Sequence, residues 1–293
     1  MKKIFYVLIV ITLLTVGCEN SDSILVVDDG AMQIEVLHPS ATRATETTFE
    51  SGDKIGIYAT EYSGDVASPL QISGNWANNV ATTYDGNIWT PTKKIFWSEN
   101  KMDVYGYYPY MIPTSIDEHL WSVQLDQSTP ETTDALSGYE ASDFLWAKAE
   151  GVSQTDGNVQ LQFKHMCSKL VIKLVKGEKF TDVIPEDTEV YLYSTVPAAT
   201  IDFTKGIVSK DVYGTKQKIK ARRISEDTFE VIVVPQSVLE YSPFVEIVIG
   251  SIAYMTEEII TYYAGVQYTV SITLDKSPGQ IQVELGGTVE DWD

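Results

Sequence analysis

Cys18 is the residue whose surroundings most plainly prescribe a chemistry. Lys2 and Lys3 give a positive start, residues 4–16 are almost wholly apolar, and the small Gly17 stands directly before the thiol, which is the layout of a secretory leader. The 13 residues of that run are too few to span a bilayer, which takes ~20. Residues 1–17 therefore read as a leader that is removed. A cysteine in this place is the acceptor of a bacterial lipoprotein: its sulfur takes a diacylglyceryl group and its freed amine an acyl chain. One chain holds a protein only marginally, whereas two or more hold it stably. Lipidated Cys18 is thus expected to tie the chain to a membrane, although Thr15 stands where the usual recognition box has leucine and Leu14 is one place off.

Other reactive constellations are missing their parts. His38, His119 and His165 are far apart in sequence, the second cysteine is Cys167, and there is no His-Glu-x-x-His, no Gly-x-Ser-x-Gly and no phosphate loop. Acid pairs such as Asp117-Glu118 and Glu226-Asp227 nominate no glycosidase in a chain holding 41 acids, since that chemistry needs two carboxyls at a set separation across a cleft. No calcium loop fits either. The chain is not expected to be an enzyme or to carry a cofactor. Its formal charge of −20 becomes −22 once Lys2 and Lys3 leave, a field that repels nucleic acid. With Cys18 acylated, Cys167 has no intramolecular partner, so stability must come from burial.

The elements that follow read as strands. Residues 18–30 form a polar, acidic tether. Met32, Ile34 and Val36 alternate with Gln33 and Glu35, which gives a strand over 31–37 with one apolar face; it ends at His38-Pro39. A small, polar loop, 38–48, carries a lone arginine, Arg43, and loops of this composition are where proteases cut. Turn signals then recur every eight to twelve residues, with Ile55 and Ile57 alternating, so 31–158 reads as a β-sandwich domain. Its Trp76, Trp89, Trp97, Tyr105, Tyr107, Tyr108 and Tyr110 are read as packing, with a sugar-binding platform as the alternative. Residues 111–139 read as a long surface loop. A second sandwich is expected over 159–293, with a bulge or sheet crossing at Met166-Cys167-Ser168 and a basic, solvated hairpin within 205–223. The fold class is all-β.

The order of short signatures carries a resemblance. Phe-x-x-Gly-Asp-Lys-Ile-Gly-Ile-Tyr (49–58), Val-Tyr-Gly-Tyr-Tyr-Pro-Tyr (104–110), Asp-Phe-Leu-Trp-Ala (143–147), Leu-Gln-Phe-Lys-His (161–165), Val-Val-Pro-Gln (233–236) and the closing Val-Glu-Asp-Trp resemble, as a series, the fimbrillins, subunits of type V pili on Gram-negative surfaces. The resemblance implies two tandem transthyretin-like sandwiches and a structural or accessory role in a cell-surface fimbrium that supports adhesion, with an outer-membrane lipid anchor before maturation. It implies that an Arg-specific protease cuts at Arg43 and removes the exchangeable strand bearing Met32, Ile34 and Val36, and that the emptied groove takes a strand from another fimbrial subunit. Burial of those three side chains at ~1.5–3 kcal/mol each is a large share of a domain's ~5–15 kcal/mol. In stalk subunits of the family a C-terminal extension is the donor, and Ile281, Val283 and Leu285 are the candidates, with the last strand of the second sandwich as the other reading. Histidine in Phe-x-His is expected to be buried and structural. The alternative function is a monomeric surface lipoprotein that binds glycans or other surface ligands.

Overall fold

Gly56 and Gly106 lie hard against side chains of the two hydrophobic cores. A Cβ on Gly56 would lie 2.3 Å from the Tyr107 ring, and one on Gly106 would lie 2.9 Å from Leu161 and Phe163. The computed structural model describes residues 30–39, 48–178, 180, 183–239, 242–274, 282–284 and 289–292. Residues 31–293 form one compact unit with two cores inside it.

The first half carries β1 (Ile34–Leu37), β2 (Lys54–Ser63), β3 (Val66–Ala67), β4 (Ala77–Tyr84), β5 (Trp89–Pro91), β6 (Met102–Tyr108), β7 (His119–Ser122), β8 (Leu145–Val152), β9 (Val159–Gln162) and β10 (Lys164–His165). The second carries β11 (Ser168–Lys176), β12 (Glu189–Thr195), β13 (Ala198–Asp202), β14 (Ile207–Lys210), β15 (Gln217–Lys220), β16 (Arg222–Arg223), β17 (Thr228–Val233), β18 (Ser237–Val238), β19 (Pro243–Ile249), β20 (Ile252–Glu257), β21 (Ile260–Thr261), β22 (Val266–Leu274), β23 (Gln282–Glu284) and β24 (Val289–Asp291). The all-β expectation is met.

An antiparallel sheet in the order β10-β8-β6-β2-β4-β5, with β3 on β2, faces the small parallel pair β1-β9. Between them lies the first core, with Met32, Ile55, Ile57, Val104, Leu145, Leu161 and Phe163. The opposite face of the same sheet presents Tyr58, Tyr105 and Tyr107 to the second core, where Tyr107 meets Phe203 edge-on at 4.8 Å. Every residue of β6 is buried as a result. In the second half, β16-β17-β11-β22-β23 is packed with β15-β12-β19-β20. Among the described strands of these two sheets, only the β11-β22 pair is parallel.

Three expectations need correction. The strand expected to open the second half packs in the first core: Val159, Leu161 and Phe163 belong there, and the chain changes sheets between β10 and β11. Phase alternation showed that crossing but not which side of it β9 lay on. Secondly, 111–139 is not a surface loop. Its β7 pairs with β13 of the second half, Ile116 and Val123 are buried, and Gln127 reaches β17, where its amide donates to the Ile232 carbonyl at 2.9 Å and accepts from the Ile232 N–H at 2.7 Å. Isolated apolar residues among prolines left no period to read. Thirdly, the basic stretch is no hairpin. Its β14, β15 and β16 lie in three different sheets, and Lys205, Lys220 and Arg222 pair with Asp202, Glu189 and Glu230 of the same half.

Gln127→Ala is expected to cost about 1–3 kcal/mol, because it leaves a buried donor and a buried acceptor of β17 unpaired. Urea unfolding measures it, and a midpoint unchanged from the parent would contradict the clamp.

Candidate assembly site

The strand β1 is held from both sides by groups that its own alternation prescribes. Ile34 stands opposite Val159 and Val36 opposite Leu161 in the parallel ladder, with the Val159 N–H donating to the Gln33 carbonyl at 2.8 Å and the Phe163 N–H to the Leu37 carbonyl at 2.9 Å. On the other side the Met32 N–H donates to the Ile95 carbonyl at 2.7 Å, next to an Ala31–Phe96 bridge. Among the described strands, β9 has a ladder partner only in β1.

The expected core face is found, with a smaller payload than full burial. Met32 is buried, whereas Ile34 and Val36 are half-buried against the first core, so the three side chains contribute about 3–6 kcal/mol. On the outer face, the Gln160 amide donates to the Glu35 carboxylate at 3.2 Å, and the Gln162 amide donates to the His38 carbonyl at 3.1 Å. The strand ends in an aromatic knot: His38 meets Phe49 edge-on at 4.8 Å, and Phe49 meets Phe163 at 5.7 Å.

Burial holds the His38 imidazole below its ordinary pKa of 6.5, helped by His165 and opposed by the Pro39 carbonyl and Asp143. A released or unfolded strand therefore binds a proton that the seated strand does not, and seating loses stability as pH falls through the ordinary value towards the lowered one. Acidification from about pH 7.5 to 5.5 is expected to lower the hydrogen-exchange protection factors of β1 and β9, that is, the intrinsic rate at each pH divided by the observed one, and His38→Phe is expected to flatten that dependence. Wild-type protection factors that are level over this window contradict the assignment.

Three of the sequence signatures converge one step further in. His165 is buried, its Nδ1 lies 2.9 Å from the Asp143 carboxylate, and Trp292 stacks flat on its ring with centroids 3.6 Å apart. The His38 ring lies 6.2 Å away on another side. Lys169 reaches over Trp292 and pairs at 2.8 Å with Glu230, which also accepts from Arg222 Nε at 2.9 Å. Arg222 in turn lies 3.5 Å above the Tyr139 ring. Cys167 is fully buried behind them, and burial pushes its thiol pKa up. Sequence reasoning missed Glu230; its signal is a single acid inside the apolar run from Phe229 to Val234.

The remaining sequence-predicted residues divide. Cys18 and Arg43, like Ile281 and Leu285, lie outside the described residues. Val283 lies on β23, opposite Ile272 of β22, and β24 continues on the same strand, with Val289 opposite Tyr268.

The profile of the fimbrillin-like family matches residues 42–292. The chain belongs to the fimbrillin-like family. It is 27% identical over 296 aligned residues to a Bacteroides uniformis protein named as a fimbrium subunit, Fim1C, covering 96% of this chain and 92% of that one. A Bacteroides ovatus protein named as a fimbrium tip subunit, also Fim1C, is 26% identical over 198 residues, and the match spans 34% of its length. Among solved structures, a Bacteroides uniformis protein described as a cell adhesion protein superposes with a TM-score of 0.68 at 25% identity, over 90% of this chain and 100% of that one. A Bacteroides ovatus protein with the same description shares the fold, with a TM-score of 0.68 at 19% identity over 90% of this chain and 98% of that one. The fimbrillin-like match begins after β1 and one residue before Arg43.

Proposed function

We propose that this fimbrillin-like chain is a structural or accessory subunit of a type V fimbria, exported as a lipoprotein acylated at Cys18, held at the outer membrane until cut at Arg43, and assembled with other subunits by donor-strand exchange. The observation that carries this reading is β1. It is the sole ladder partner of β9 among the described strands, and Met32, two residues before it, lies in the first core. A strand held this way leaves, on removal, a slot that only another strand can fill, with side-chain pockets and ladder hydrogen bonds together.

The family profile starting at residue 42 supports treating β1 as a detachable strand. The pairing of β23 and β24 with β22 supports an acceptor role in the unassembled subunit. Surface polymers are expected to give an SDS-resistant ladder whose subunits begin at Ala44, and Arg43→Ala should leave full-length, unpolymerised chains. Polymerised subunits that begin before Met32 would overturn the proposal.

A glycan-binding reading keeps one specific support. Trp76 and Phe96 are about half exposed at 45% and 48% on the rim of a cleft that also holds Lys93 and Lys94, although the indole N–H is committed to the Phe96 carbonyl. Glycan-array binding by the monomer tests it.

A further inference from the structure

Residues 92–96, which follow β5, form a wall tied down at several points. The Thr92 N–H donates to the Ala81 carbonyl of β4 at 2.8 Å, and the Ile95 carbonyl accepts from the Met32 N–H at 2.7 Å. Phe96 is bridged to Ala31, and its carbonyl accepts from the Trp76 indole N–H at 2.8 Å. Between this wall and the start of β4 lies a cleft of about 300 Å³, the small end of the ~300–1,000 Å³ that ligand sites occupy. Its floor is apolar, since Ala77, Val80 and Ile95 are buried core residues. Its rim carries Trp76, Phe96, Lys93 and Lys94.

Two features set this rim apart. Of the six tryptophans, Trp76 alone is exposed, and the bond from its indole to the wall fixes the ring in place while leaving close to half of the side chain open. Phe96 beside it is equally open. Two large aromatic side chains thus forgo burial on one cleft, where each keeps a flat apolar surface for a ligand. Moreover, in a chain of formal charge −20 no acid lines the cleft, whereas two adjacent lysines do. Charges are screened over ~8 Å at physiological salt, so the groups lining the cleft outweigh the summed field of the acidic body.

These parts define a ligand. An aromatic surface takes the apolar C–H face of a sugar ring, and an ammonium group makes a charge-assisted hydrogen bond to a carboxylate. A cationic ligand is repelled by the lysines, and a purely apolar one desolvates them without supplying a partner. We propose that the Trp76–Phe96 cleft binds a sugar that bears a carboxylate, with the ring laid on the two aromatic side chains and the carboxylate held by Lys93 and Lys94. This inference rests on the glycan-binding reading above and adds to it the chemical class of the sugar and the residues that select it. Uronic and sialic acids both supply that chemistry.

Calorimetric titration of the full chain tests it, with digalacturonate against its neutral counterpart galactobiose and with sialyllactose against lactose. At least one acidic sugar is expected to bind about tenfold more tightly than its neutral partner, and the gap should narrow between about 0.05 and about 0.5 M salt as screening grows. Lys93→Gln with Lys94→Gln should bring the acidic sugar down to the neutral one. Trp76→Ala should weaken the acidic sugar about fivefold, the loss of one aromatic contact. The lysine variant alters exposed side chains only, so it reports recognition even where Trp76→Ala disturbs the wall. Equal affinity within both pairs overturns the inference and leaves the glycan reading standing, whereas no binding by any of the sugars at about 10 mM overturns that reading as well. Binding undiminished in both variants places the sugar elsewhere and overturns the inference. So does a glutamate tetrapeptide that binds more tightly than either acidic sugar and is lost with Trp76→Ala, because the cleft is then a peptide site.

Discussion

Removal of residues 31–43 from the unpolymerised chain is expected to melt the first core and leave the second folded. The removed segment contributes about 3–6 kcal/mol through Met32, Ile34 and Val36, and its loss also strands the Val159 N–H of β9 and the Phe163 N–H just beyond it, both of which donate to it. A domain holds only ~5–15 kcal/mol in total, so the first half falls to the margin of stability. Hydrogen exchange should show the amides of β2 and β9 losing protection while those of β11 and β22 keep it. A synthetic 30–37 peptide at ~100 times its dissociation constant should return about 2.7 kcal/mol. If the trimmed protein melts as one transition at the temperature of the whole chain, β1 is not the element on which the first core depends.

Glu230→Ala is the substitution in the second core with the largest expected effect. Glu230 is 1% exposed and lies between Lys169 of β11 and Arg222 of β16. Its removal leaves the buried Lys169 ammonium without its carboxylate, which costs about 3–5 kcal/mol. Replacing all three groups together by apolar residues of similar size should recover most of that loss, because no uncompensated charge then remains. Chemical denaturation of the single and triple variants separates the two effects, and a single-variant loss under about 1 kcal/mol would mean that water already reaches the pair.

The parts of this fold that were legible in the sequence are those whose side chains obey one period. Met32, Ile34 and Val36 alternate because one face of β1 meets a core and the other meets water, and the same holds for Val159, Leu161 and Phe163. The phase shift at Met166-Cys167-Ser168 was legible for the same reason. What could not be read was adjacency. Nothing local in the 31–37 segment says that its neighbour is β9, 125 residues on from Glu35 to Gln160, or that the pairing is parallel. Gln127 and Glu230 were invisible because a buried polar residue looks like any surface one until its partners are placed. His165 was expected to be buried and hydrogen-bonded, and so it is, but its stacking on Trp292 needed the fold to bring residues 127 positions apart together.

The splice of β7 into the second half, secured by the Gln127 clamp, has a mechanical consequence. If the subunit carries tension within a fimbria, two lobes joined by a single linker would flex and then rupture one at a time. Here β7 pairs with β13 of the second half and the Gln127 clamp ties the same segment to β17, so tension between the halves loads more than one set of hydrogen bonds. The subunit should yield in an optical trap as one high-force event, and cutting the clamp should split that event into two weaker ones.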